Sequence, residues 1–122
     1  MPDEAPPFDQ ARAAALIGKY VLVGLTRADH EGRVIELQQM HGRIVSADEK
    51  RGFEVALAGQ HDGKIYWLPP DTSAFRDAAR GEYRLRSTGE VIIDPDVLTS
   101  WTVEAPAPGT RKPHLPDSGF HA

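Results

Sequence analysis

YVLVGLTRADHEGRVIELQQMHGRIVSADEKRGFEVALAGQHDGKIYWL, residues 20–68, alternates apolar and polar side chains as strands do and breaks at DHEG, DEKRG and GQHDG. From Tyr20 to Arg27 the alternation puts Val21, Val23 and Leu25 on one face. From Arg33 to His41 it opposes Val34, Glu36, Gln38 and Met40 to Ile35, Leu37, Gln39 and His41, and Ile35 and Leu37 are expected to face inward. Gly42 stands where this strand continues into Arg43 to Ser46, a position that marks a bend or bulge. DEKRG then leads into Phe53 to Ala58, and GQHDGK into Ile65 to Leu68. Strands spaced this closely, with no room for crossover helices, predict a mainly β fold: a small, strongly bent antiparallel barrel.

Outward from this stretch the elements are shorter. Asp9 is placed to N-cap a helix from Gln10 to Ile17, which Gly18 ends. Downstream, Pro69-Pro70 stops the last strand of the run, because proline has no amide to donate. Asp71 can cap a short helical insert over 72–80, closed by Gly81. Glu82 to Arg86 and Glu90 to Asp94 flank Ser87-Thr88-Gly89 as a hairpin, and Thr99 to Glu104 reads as a final strand with Trp101 and Val103 on one face. The ends differ in composition: residues 1–8 hold three prolines and two acids, and residues 105–122 hold four prolines and two glycines. They read as tails around a single domain at 9–104.

Gly42, Ile44, Asp48, Gly52, Phe53, Val55 and Leu57 together resemble the first signature block of the Sm-like small barrels, themselves close to the SH3-like group. A short N-terminal helix feeding Val21-Leu22-Val23-Gly24-Leu25 is similar to that group as well, so the resemblance covers residues 9–68. It implies the barrel and, in the RNA-binding members, a stacking residue and an asparagine in the turn after the aspartate. Lys50 and Gly52 hold those positions here, and Leu68-Pro69-Pro70-Asp71 replaces the basic element that ends the second block. The resemblance therefore carries the fold and not the RNA contact. Asp48 is expected to cap its own turn.

Charge and composition narrow the partners. The chain of 122 residues has a net charge of −4, with its basic residues scattered among acids, whereas nucleic-acid binders draw most of their affinity from a basic excess. There is no cysteine, which excludes disulfides, thiolate metal sites and thiol catalysis. No apolar run is long enough to span a bilayer, and MPDEAPPFDQ lacks the basic and apolar regions of a signal peptide, so a cytoplasmic protein is expected.

No motif supports catalysis or implies a cofactor. The serines lack the G-x-S-x-G elbow, and Gly59 and Gly63 lack the spacing of a phosphate loop. His30 with Asp29, and His61 with Asp62, lie in polar loops that would form a metal site only if they converge. The expected function is a non-enzymatic protein–protein interaction module, with Trp67, Pro69, Pro70, Asp71, Tyr83, Arg84 and Arg86 as its surface. Aromatics and arginines anchor interfaces, and the arginines suit an acidic partner; self-association is a further outcome of such a surface. The alternatives are an Sm-like nucleic-acid binder and a metal-dependent hydrolase at the His/Asp loops.

Overall fold

The computed structural model describes residues 7–104, which fold as two β-sheets and one helix. Helix α1 (Gln10–Leu16) starts where Asp9 accepts a hydrogen bond from the Arg12 amide at 2.9 Å, and it buries Ala13 and Leu16. The strands are β1 (Tyr20–Ala28), β2 (Val34–Asp48), β3 (Gly52–Leu57), β4 (Ile65–Leu68), β5 (Phe75–Asp77), β6 (Glu82–Arg84), β7 (Val91–Ile93) and β8 (Val97–Glu104). Six of them form one sheet in the order β4-β3-β2-β1-β8-β5, and β6 and β7 form a separate hairpin. Among the described residues no helix is long and apolar enough to cross a membrane.

The first four strands follow one another as an antiparallel meander, as the turn residues dictate. Asp48 closes the β2–β3 turn by accepting from the Lys50 and Arg51 amides at 2.9 and 2.7 Å. The last strand departs from the expected all-antiparallel order. β8 lies parallel to β1, in register from Val21↔Val97 to Ala28↔Glu104. The pair is pinned at its start, where the Asp96 amide donates to the Tyr20 carbonyl and the Tyr20 amide donates to the Asp96 carboxylate. The long chain from β1 to β8 supplies the return path that a parallel pair needs.

Directly paired residues share a face, so the registers define two surfaces. The inner one gathers Val21, Val23 and Leu25 with Met40 and Val97, and joins Ile44, Phe53, Val55, Leu57, Tyr66, Leu68 and Phe75 in one core. Phe53 and Phe75 meet edge-on with ring centroids 4.8 Å apart, although three strands separate β3 from β5. The sheet is therefore strongly curled. Phe8 packs on Phe53 from outside, and Pro7 accepts from the Thr72 amide.

Three expectations need correction. Strand pairing does not close the sheet into a barrel: β4 and β5 are its free edges. Pro69-Pro70 ends β4 after four residues, and β5 has only three. The helical insert over 72–80 is a single 3-10 turn, Thr72–Ala74, followed by β5. Asp71 does cap that turn through Ser73, but Phe75 then takes a place in the core beside β8. Ile35 and Leu37 do not face inward and are 62% and 44% exposed. Leu37 pairs with Thr26 on the outer face, and Ile35 is the extra residue of a bulge opposite Arg27 and Ala28.

Candidate functional site

The outer face carries Leu22, Gly24 and Tyr20 of β1, His41 and Gln39 of β2, and Leu98 and Ser100 of β8. The β6–β7 hairpin lies over part of it. Leu85, just past β6, is 3% exposed, and Leu22 is 7% exposed although it points away from the core. Between hairpin and sheet is a cleft of about 200 Å³ floored by Leu22, Gly24, Leu98 and Leu85. Its polar lining is Gln39, Thr99, Ser100, Tyr83 of β6 and two arginines, Arg76 of β5 and Arg84 of β6. The Tyr83 hydroxyl donates to the Ala79 carbonyl at 2.6 Å, which fixes the ring against the wall.

Arg76 and Arg84 come from different sheets and are exposed, and neither forms an ion pair with any described residue. In a chain of net charge −4, a cleft with two unpaired guanidinium groups is a local reversal of sign. Guanidinium offers a planar fork of donors matched to carboxylate oxygens. An apolar floor beneath it suits the hydrocarbon part of a ligand.

The rest of the expected surface lies elsewhere. Trp67 sits on edge strand β4, paired with Glu54, and the Arg51 guanidinium covers its ring at 4.3 Å. Asp71 is occupied by the Ser73 amide and hydroxyl. Pro69 is exposed and Pro70 half-buried after β4, while Arg86 stands in the hairpin turn. β3 and β2 separate β4 from the β1–β8 face that the cleft occupies. Of the expected residues, the cleft holds Tyr83 and Arg84. It adds Arg76, which the sequence hid inside an expected helix.

The histidine loops do not assemble a metal centre: among the described residues no three His, Asp or Glu side chains are placed to share an ion. Asp29 is taken up by its own turn, where the Arg33 and Glu31 amides and the Arg33 side chain donate to it and hold its carboxyl below the usual range. His30 lies 3.6 Å from Glu31, and His61 lines a separate polar cleft with Gln60 and Glu36. Asp62 is exposed.

A second constellation had no signature in the sequence, because its members are far apart there. His41 is 5% exposed. Its Nδ1 lies 2.6 Å from the Tyr20 hydroxyl, and its Nε2 lies 3.3 Å from Glu90 Oε2 in the β6–β7 turn. Glu90 also accepts from the Gln60 amide at 3.0 Å and the Thr88 hydroxyl at 2.9 Å. Burial pushes the Glu90 carboxyl up, but the Thr88 hydroxyl, the nearby His41 ring and the Gln60 amide outweigh it and hold the group below its usual range. The approach of Nε2 to Glu90 lies outside hydrogen-bond geometry and is a close contact, whereas Nδ1 and the Tyr20 hydroxyl share a short hydrogen bond. Burial raises the Tyr20 phenol, with Arg43, whose guanidinium lies over the ring, opposing. Gly59 makes room for this contact: a Cβ there would stand 2.0 Å from Glu90 Oε2 and 2.7 Å from His41 Nε2. Neither Tyr20 nor His41 lines any of the described clefts.

No protein-family model matches this chain, no curated protein matches its sequence, and no solved structure matches its fold.

Proposed function

We propose that this chain is a protein-interaction module of SH3-like, strongly bent architecture that holds an acidic segment of a partner protein in the cleft between the hairpin and the sheet. The β1–β4 meander, with its 15-residue β2 and tight curl, supports the architectural part of this reading. The observation that carries the functional part is the pairing of Arg76 and Arg84 across one apolar-floored cleft, neither of them in an ion pair with any described residue. Tyr83 beside them supplies a rigid aromatic wall, and tyrosine and arginine are the residue types that dominate interface energetics.

A fluorescein-labelled oligoglutamate peptide, titrated in an anisotropy assay, tests this. Arg76→Ala and Arg84→Ala are each expected to weaken binding about 5- to 30-fold, the loss of about 1–2 kcal/mol from a charge-assisted contact at a partly exposed site. Reversing both charges, Arg76→Glu with Arg84→Glu, should remove measurable binding, and added salt should weaken the native complex. Trp67→Ala should leave affinity unchanged. Undiminished binding by the doubly reversed protein, or loss on Trp67→Ala alone, would overturn the assignment to this cleft.

A further inference from the structure

The hairpin that carries Arg84 is attached to the rest of the protein in an unusual way. No backbone ladder joins β6 or β7 to the six-stranded sheet. At its base the chain narrows to a neck, where the Gly81 amide donates to Asp94 Oδ1 and the Asp94 amide donates to the Gly81 carbonyl. Asp94 is there with φ 49°, the one positive-φ residue other than glycine among those described, a conformation that costs free energy and is held by its surroundings. Beyond the neck, the hairpin meets the sheet through Leu85 and two sets of polar contacts. Ser87 and Gln39 exchange hydrogen bonds at 3.0 Å each, and Glu90 reaches the Gln60 amide and His41.

From this geometry we infer that Glu90, held by His41 and Tyr20, is a positioning clamp that sets the β6–β7 hairpin, and with it Arg84, over the cleft without touching whatever binds there. A buried histidine of β2 touches the hairpin's Glu90 with one ring nitrogen, and its other nitrogen is hydrogen-bonded to Tyr20 of β1. Through Tyr20 the clamp reaches β1, which floors the cleft together with β8, and through His41 it reaches β2, which lines the cleft with Gln39. Breaking it leaves the hairpin tethered by its neck, Leu85 and the Ser87–Gln39 pair. Arg84 then loses its fixed separation from Arg76, which stays on the main sheet. The effect on ligand affinity rests on the binding reading above; the clamp itself does not.

The charged and titratable groups facing the clamp are Tyr20, His41, Arg43 and Glu90, with His61 and Glu36 lining the neighbouring cleft beside Thr88. Because the folded Glu90 value is depressed, its contribution is complete above the ordinary value of 4.5 and is lost as the pH falls through the folded value.

Hydrogen exchange on the full chain tests the inference. Glu90→Gln keeps the size of the side chain and its acceptor for Gln60 but removes the charge opposite Nε2. Exchange of amides 82–93 should accelerate about tenfold or more, while amides of β1 and β3 keep native protection. Tyr20→Phe should move the same hairpin amides by a smaller factor. In an acid titration followed by NMR, native hairpin amides should shift below pH 4.5, and the Glu90→Gln protein should lack that step. Oligoglutamate affinity should fall about 3- to 10-fold in Glu90→Gln through lost preorganisation alone. Unchanged hairpin exchange, or equal acceleration in hairpin and sheet, would overturn the clamp. If native protein does not bind oligoglutamate, the binding reading falls and the exchange result still decides the clamp.

Discussion

Gly42→Ala is expected to leave little folded protein at room temperature. Gly42 is buried in β2, between Val21 of β1 and Leu57 of β3. A Cβ there would stand 2.2 Å from the Ala56 carbonyl oxygen and 2.8 Å from Leu57 Cα. Both are backbone atoms of the neighbouring ladder, so no rotamer change relieves the collision. β2 and β3 would have to separate, and each ladder hydrogen bond lost costs about 0.5–1.5 kcal/mol. Overpacking alone costs about 1–3 kcal/mol. The sum is a large share of the roughly 5–15 kcal/mol that holds a domain together. Gly24→Ala is the control, since its Cβ would meet only the Ser100 hydroxyl, at 3.6 Å; its cost should stay within about 1 kcal/mol. Urea denaturation of the two variants measures both. Near-native stability of Gly42→Ala would contradict the close β2–β3 approach.

The second large effect is expected at Phe53→Ala. Phe53 is fully buried and touches Phe75 from β5 and Phe8 from the N-terminal segment. It is the contact that draws the far strands of the curled sheet together across the core. Truncating a buried phenylalanine costs about 3–5 kcal/mol, because it removes transfer free energy and leaves a cavity. For a domain of about a hundred residues, each kcal/mol lowers Tm by roughly 4–8 °C, so a drop of at least about 12 °C is expected in a thermal scan. A drop below about 4 °C would mean that the core tolerates the loss of its central ring.

The sequence made the meander legible because both of its signals are local. Strand alternation and the turns at DHEG, DEKRG and GQHDG sit within residues 20–68, and the strands end within a few residues of the places expected. Pairings made at long range left no such trace. β1 is apolar on both faces, with Val21, Val23 and Leu25 against the core and Leu22 beneath the hairpin. Alternation alone therefore does not say which face of β2 is inside, and Ile35 and Leu37 turn outward against it. The parallel β1–β8 pairing joins residues some 76 positions apart, as Tyr20 to Asp96 shows. It leaves no periodicity of its own.

The site was partly legible for the same reason. Tyr83 and Arg84 were visible as an aromatic–arginine pair in one strand. Arg76 was hidden because the Asp71 cap predicted a helix, whereas the segment becomes an edge strand beside β8. His41 and Glu90 lie 49 residues apart and meet only because the hairpin folds back onto β2. Trp67 drew attention as a large aromatic in a strand, but Arg51 already covers it.

The most direct test of the acidic-partner cleft is to map the contact on the native protein. Isotope-labelled protein is titrated with oligoglutamate, and the shifts of its backbone amides and arginine side-chain Nε–H groups are followed by NMR. The account predicts that saturable shifts concentrate at Arg76, Tyr83, Arg84 and Ser100, with the Arg51–Trp67 region unmoved. Shifts centred on Arg51 and Trp67, or none that saturate, would contradict it.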